Sequence, residues 1–240
     1  MKVYKTLTIG EFHKNFCEDY LISAEYGKNK QLFAVLDGCS MGNESYFAAT
    51  LTGKILKKIA QELFHTDVPK DLKTDLKEIL KQIFENLKNF RNQLLLEKND
   101  LLATLILLVL DTHTNQGELI AIGDGYVALD GNITEYDHNN IPDYLGYHLT
   151  EDFEAWYQSQ TQRISFTNFK DLSICTDGIL TFNHFVEKKQ HPFIDPIHYM
   201  LLDHEFAESK NMFVKKLMHL EKAYSLKHTD DLAIIRIINT

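Results

Sequence analysis

Only three cysteines, four prolines and one tryptophan occur among the 240 residues of the chain. Cys17, Cys39 and Cys175 are odd in number, widely spaced and free of any Cys-x-x-Cys pair. That excludes a disulfide framework and argues against a structural zinc site. They read as small residues filling tight space near strand ends. Long hydrophobic runs are missing too: the longest, LLATLILLVL, is the length of one buried strand, well short of the roughly 18 residues that cross a bilayer. Basic charge is in deficit, with 25 Lys and Arg against 34 Asp and Glu, so a nucleic-acid backbone would be repelled. The opening MKVYKTLTIGEF has no apolar export core, and a cytoplasmic protein is expected. There is no Gly-x4-Gly-Lys loop, His-Glu-x-x-His helix, Gly-x-Ser-x-Gly elbow or EF-hand loop. A Cys-x5-Arg phosphate cradle is absent as well, since Ser23, Ser45 and Thr181 stand at the arginine positions. Eleven histidines show no ligand spacing, and His184, His191 and His198 read as surface or partly buried residues.

What the chain does have is aspartate at the ends of apolar runs. Four aspartates are followed directly by glycine, where 18 Asp and 11 Gly would give fewer than one such pair by chance. Asp130-Gly131 separates YVAL from NITEY by two residues and reads as a type I′ hairpin turn. The other three close strand-like runs: QLFAVL before Asp37-Gly38, ELIAIG before Asp124-Gly125, and LSICT before Asp177-Gly178. A further run, LAIIRII, is preceded by Asp230-Asp231. Strands that carry carboxylates at their ends can converge them on one sheet edge. Clustered carboxylates repel one another and call for hard cations, magnesium or manganese. Asp19, Asp37, Asp177 and Asp230, with the Gly38 carbonyl, suffice as direct ligands. Glu18 and Asp124 would support them or hold an additional ion. Two such ions can lower the pKa of a shared water and clamp a phosphoryl group.

The periodicities predict one α+β domain over residues 1–240. Strands are expected at 3–9, 19–25 and 31–36, followed by a helix from an Asn43 cap to Phe64 and a break through Pro69. A second helix follows, with Leu72, Leu76, Ile79, Leu80, Ile83, Phe84, Leu87 and Phe90 on one stripe. Strands resume at 103–111, 117–123, 126–130 and 132–136. Residues 137–160, with Pro142 and Trp156, show no clean period and read as a lid or flap. Strands at 161–166 and 171–176, an irregular His-bearing stretch, a helix over 208–225 and a strand at 231–238 complete the chain. Two blocks of strands with helix pairs imply stacked sheets covered by helices.

In this order the motifs resemble the type 2C, metal-dependent serine/threonine protein phosphatases in their compact bacterial form. The carrying residues are Glu18-Asp19, Asp37-Gly38, Gly123-Asp124-Gly125, Thr176-Asp177-Gly178 and Asp230-Asp231. The resemblance implies a four-layer αββα sandwich, two mainly antiparallel sheets flanked by helix pairs, with two Mn2+ or Mg2+ ions at one end. Asp37 would bridge the ions, the Gly38 carbonyl would ligate one, and Asp177 and Asp230 would complete a coordination sphere. Glu18 and Asp19 would act mainly through bound water, and Asp124 would match a weaker, third ion site. Lys14 stands where many members carry a phosphate-anchoring arginine, and lysine cannot form the bidentate fork. Cys39 stands where eukaryotic members place a histidine general acid. Asp231 replaces asparagine and Gly125 replaces serine, and Asp231 is expected to add negative charge near the site. The implied substrate is a phosphoprotein, with a partner kinase, no nucleic acid and no membrane. The alternative is a weakly active or inactive pseudophosphatase that serves as a regulatory binding module.

Overall fold

The computed structural model describes residues 1–42, 44–66, 71–137, 143–185 and 193–239. Its strands, in chain order, are β1 (Lys2–Thr8), β2 (Tyr20–Gly27), β3 (Lys30–Leu36), β4 (Leu105–Asp111), β5 (Gln116–Ile122) and β6 (Gly125–Leu129). They continue as β7 (Asn132–Tyr136), β8 (Arg163–Thr167), β9 (Asp171–Cys175), β10 (Phe182–His184), β11 (Leu226–His228) and β12 (Leu232–Ile238). The helices are α1 (Phe47–Phe64), α2 (Leu72–Leu94), α3 (Phe153–Ser159), α4 (Pro196–Leu201) and α5 (Met212–His219).

Two five-stranded sheets form, in the orders β1-β12-β9-β6-β7 and β2-β3-β4-β5-β8, with β10 and β11 as a small separate ladder. Every pairing is antiparallel. The run QLFAVL shows how the layers stack. Leu32, Ala34 and Leu36 face α1 and α2, while Phe33 and Val35 face the other sheet. A central strand covered on both sides reads as continuous apolar sequence, without alternation. Between the sheets Phe33, Val35, Ile106 and Leu108 meet Val127, Ile174, Ile235 and Ile237. On the opposite outer face α4 and α5 bury Met200, Met212 and Phe213 against Leu232 and Ile234. Helices, two sheets and helices make the four layers expected.

The elements differ from the sequence reading in their edges. The expected Asn43 cap and Pro69 break, and Pro142, lie outside the described residues. The chain enters α1 through Tyr46. At α2 the Asp71 carboxylate accepts the Thr74 amide at 2.9 Å. Asp71→Ala is therefore expected to cost about 1 kcal/mol, read as a lower urea midpoint with an unchanged slope. Within 137–160 a short helix, α3, lays Trp156 against Phe84 of α2, ring centroids 4.5 Å apart. The stretch read as irregular after Gly178 contains β10 and α4. The helix expected over 208–225 is regular only across α5. It then widens through Leu220–Tyr224 and stops at Ser225, where φ turns to 57°. The hairpin forms as expected: Asp130 and Gly131 take φ of 48° and 88°.

Beneath α4 lies a buried ionic cluster that no apolar pattern announces. Arg236, fully buried in the middle of β12, donates from Nε and Nη2 to the two carboxylate oxygens of Asp171 at 2.9 and 2.6 Å. Nη1 and Nη2 also donate to the carbonyls of Asp203 and Leu202, both at 2.6 Å. Lys216 of α5 donates to the carbonyls of Tyr199 and Asp203. Burial and the nearby Arg236 charge push its pKa down to about 8. Two cations thus satisfy carbonyls at the C-terminal end of α4, where the helix leaves acceptors without partners.

Candidate active site

Antiparallel pairing brings the right ends together. Asp37 follows the last residue of β3, Asp177 closely follows β9, and Asp124 sits between β5 and β6. Asp19 precedes β2, whose Tyr20 pairs with Leu36, and Asp230 and Asp231 precede β12. All six therefore stand at one end of the two sheets. There Asp37, Asp124 and Asp177 each offer a carboxylate oxygen within 4.8 Å of the others. Three carboxylate acceptors at that separation are a donor set suited to a hard divalent ion.

Tight backbone approaches hold this end closed. A Cβ on Gly38 would fall 2.1 Å from the Ser45 carbonyl, and one on Gly178 would fall 1.8 Å from the Asp231 carbonyl. Glycine after these aspartates is thus a matter of packing. Thr104 grips the Asp37 backbone from both sides, its hydroxyl accepting the Asp37 amide at 3.1 Å and its own amide donating to the Asp37 carbonyl at 2.9 Å. Asp19 is buried behind the trio, where the Thr176 hydroxyl donates to it at 2.6 Å while accepting the Ala233 amide at 3.0 Å.

The remaining predicted residues spread outward. Glu18 accepts hydrogen bonds from Ser45 at 2.5 Å and Ser40 at 3.3 Å, which ties the loop after Gly38 to the segment before β2. Asp230 keeps its side chain half exposed and accepts the Asp231 amide at 2.8 Å. Lys14 is exposed in a bend. Cys39 is buried beside Leu102, Tyr144 and Tyr147. Asp231 does not carry free charge into the site as expected. Its buried carboxylate accepts the Gly10 amide at 2.7 Å and the Glu18 amide, and lies 2.8 Å from His13 Nδ1. It is a clamp on the segment between β1 and β2. His13, Thr104 and Ser45 are site neighbours to which the sequence reading gave no role, and no local signal marks them. Thr176 entered that reading only as part of Thr176-Asp177-Gly178, without its contact to Asp19.

The electrostatics follow from this crowding. Burial, and then the charges of Asp19 and Asp177, hold the Asp37 carboxyl well above the usual range. Burial and the Asp177 and Asp231 charges push Asp19 up to about 8, against the lowering hydrogen bonds from Thr176 and Asp37. Burial, Asp124 and Asp230 push Asp177 up to about 7. Burial would lower His13, but Asp231, Glu18 and Asp230 outweigh it and leave it raised.

Groups whose folded pKa lies above the unfolded value of about 4 for Asp stabilise the fold below that value. They lose this contribution as pH rises through the folded pKa. The metal-free protein is therefore expected to melt at a lower temperature at pH 8 than at pH 5. A divalent cation should raise the melting temperature more at pH 8 than at pH 5. Equal cation shifts at both pH values would show that these carboxylates do not hold the ion.

The sequence and the fold are both similar to those of known proteins. The sequence profile described as Protein phosphatase 2C matches residues 12–217. Comparison with curated proteins finds no significant match. Among solved structures, the serine/threonine phosphatase Stp1 from Staphylococcus aureus is 12% identical, with a TM-score of 0.63 over 99% of this chain and 94% of that one. The PP2C phosphatase domain with a regulatory fragment of SpoIIE from Bacillus subtilis is 15% identical, with a TM-score of 0.59 over 100% of this chain and 64% of that one. RsbX, solved in complex with magnesium, is 16% identical, with a TM-score of 0.53 over 98% and 92%. At such identities the structural likeness speaks for the fold alone, whereas the sequence profile spans most of the chain. This chain belongs to the protein phosphatase 2C family.

Proposed function

We propose that the protein is a divalent-cation-dependent phosphatase that hydrolyses phosphoserine and phosphothreonine in proteins. The convergence of Asp37, Asp124 and Asp177 within 4.8 Å carries this reading. Magnesium or manganese held there supplies positive charge to the phosphoryl oxygens and a water of lowered pKa. Asp37 is the central holder, since it lies against both Asp19 and Asp177. Asp124 ranks with it as a direct ligand, nearer the centre than the sequence alone assigned. Asp177 completes the trio, and Asp19, locked by Thr176, supports it from behind. We assign Asp230 and the Gly38 carbonyl as further ligands, and Glu18 orders the rim through Ser45. Lys14 is exposed and available to a phosphate oxygen as a point charge. Cys39 is enclosed by apolar and aromatic side chains, so we assign it to packing and give it no proton-donor role.

The exposed Lys14 and buried Cys39 also favour a second reading, a weakly active or inactive binding module. Among the described residues no helix is long and apolar enough to cross a membrane. A phosphoprotein substrate implies a kinase that supplies it. The test is phosphate release from a phosphothreonine peptide with Mn2+ or Mg2+ and with chelator. Release that stops with chelator supports the enzyme. Tight cation binding without release selects the binding module.

A further inference from the structure

Beside the carboxylates a groove of about 500 Å3 runs between the Thr8–His13 segment and the β10–β11 ladder. That size falls within the roughly 300–1,000 Å3 of ligand-binding clefts. Its lining is largely apolar, with Ile9, Phe182, Leu217 and Leu226, where the helix-covered core layer surfaces. Its inner end is His13, whose Nε2 lies 3.6 Å from Asp230 and whose Nδ1 lies 2.8 Å from Asp231. The groove therefore opens directly off the site.

The walls are fixed. Lys227 on β11 spans to Glu11 at 3.2 Å and to Glu221 at 3.1 Å. The Glu11 and Phe12 amides donate to the His228 and Thr229 carbonyls at 3.3 and 3.0 Å. Those ion pairs already occupy the charges at the rim, so an occupant is selected by its apolar surface. A small phosphoester bound at the carboxylates would not reach the groove. An extended polypeptide would, since it advances about 3.3 Å per residue.

We propose that this groove docks an apolar side chain a few residues from the phosphorylated residue of a phosphoprotein substrate. The groove thereby sets sequence preference at the site. This rests on the phosphatase reading. A second copy of the chain is a poorer occupant, because a two-fold contact requires a patch that complements itself and a concave groove does not.

Ile9 is exposed and outside the carboxylate cluster, which makes it the position to vary. Labelled phosphothreonine peptides carrying leucine on the N-terminal side, the C-terminal side or neither are bound to the full chain and followed by fluorescence anisotropy. Turnover of the same peptides is measured relative to p-nitrophenyl phosphate. At least one leucine peptide should bind about tenfold more tightly than the peptide without leucine. Ile9→Glu, and independently Ile9→Trp, which fills the groove, should erase that preference. Equal affinities, a preference untouched by both variants, or a dimer that Ile9→Glu dissociates would each overturn the proposal. Absence of turnover with the leucine preference intact supports the groove while refuting the phosphatase reading.

Discussion

Asp37→Asn is expected to lower metal-dependent phosphate release from a phosphothreonine peptide by about a thousandfold, and at the same time to stabilise the metal-free protein. Both effects have one cause. Asp37 lies among Asp19, Asp124 and Asp177, and burial with those charges holds its carboxyl well above the ordinary range. At neutral pH the metal-free fold therefore works against this group, and a neutral amide of the same shape removes the repulsion. The amide cannot replace the negative charge that would bind the cations. Losing part of a site that stabilises transition-state charge by several kcal/mol corresponds to about three decades in rate. The thermal midpoint without metal should rise, and its increase on adding Mn2+ should shrink. Activity near wild type would refute the central role of Asp37. A fall in activity with a fall in metal-free stability would mean that the substitution damaged packing instead.

The second large effect lies in the other sheet, at the end of β9 away from Asp177. Asp171→Ala is expected to destabilise the fold by about 3–5 kcal/mol, because it strands the buried Arg236 guanidinium without its carboxylate. Arg236 has no exposed surface, and both oxygens of Asp171 receive its N–H groups. His204 Nε2, 2.9 Å from Asp171, is mostly exposed and can turn to solvent; Arg236 cannot. The conversion of both partners, Asp171→Leu with Arg236→Met, should cost far less than Asp171→Ala alone. Guanidinium unfolding of the wild type and the two variants measures this. Equal losses for the single and double variants would show that packing, not the stranded charge, sets the cost. Lys216 deepens the penalty, since its positive charge shares the Asp203 carbonyl with Arg236.

Much of the site was legible because strand chemistry is local. QLFAVL, ELIAIG and LSICT are apolar runs closed by Asp-Gly, and an antiparallel sheet returns alternate strand ends to one edge. Asp230 was singled out as a ligand, but nothing local marked the different part that Asp231 takes. They are identical neighbours, and only the fold sends one to the rim and the other into a buried contact with Gly10, Glu18 and His13. The rank of Asp124 was hidden for a similar reason. Its distance to Asp37 and Asp177 depends on how the two sheets stack, which no single strand encodes.

The sequence by itself determined the layers and the supply of carboxylates. Periodicity of 2 and 3.6 selects strand and helix, and continuous apolar runs mark strands buried on both faces. It also determined the hairpin at Asp130-Gly131, since both residues tolerate positive φ. Tertiary structure alone decided which acids come within 4.8 Å of one another, that Arg236 belongs with Asp171, and that a groove opens beside His13. Those outcomes depend on contacts between residues far apart in the chain, where strand register and sheet stacking fix distances to a few ångströms and local propensity carries no information about them.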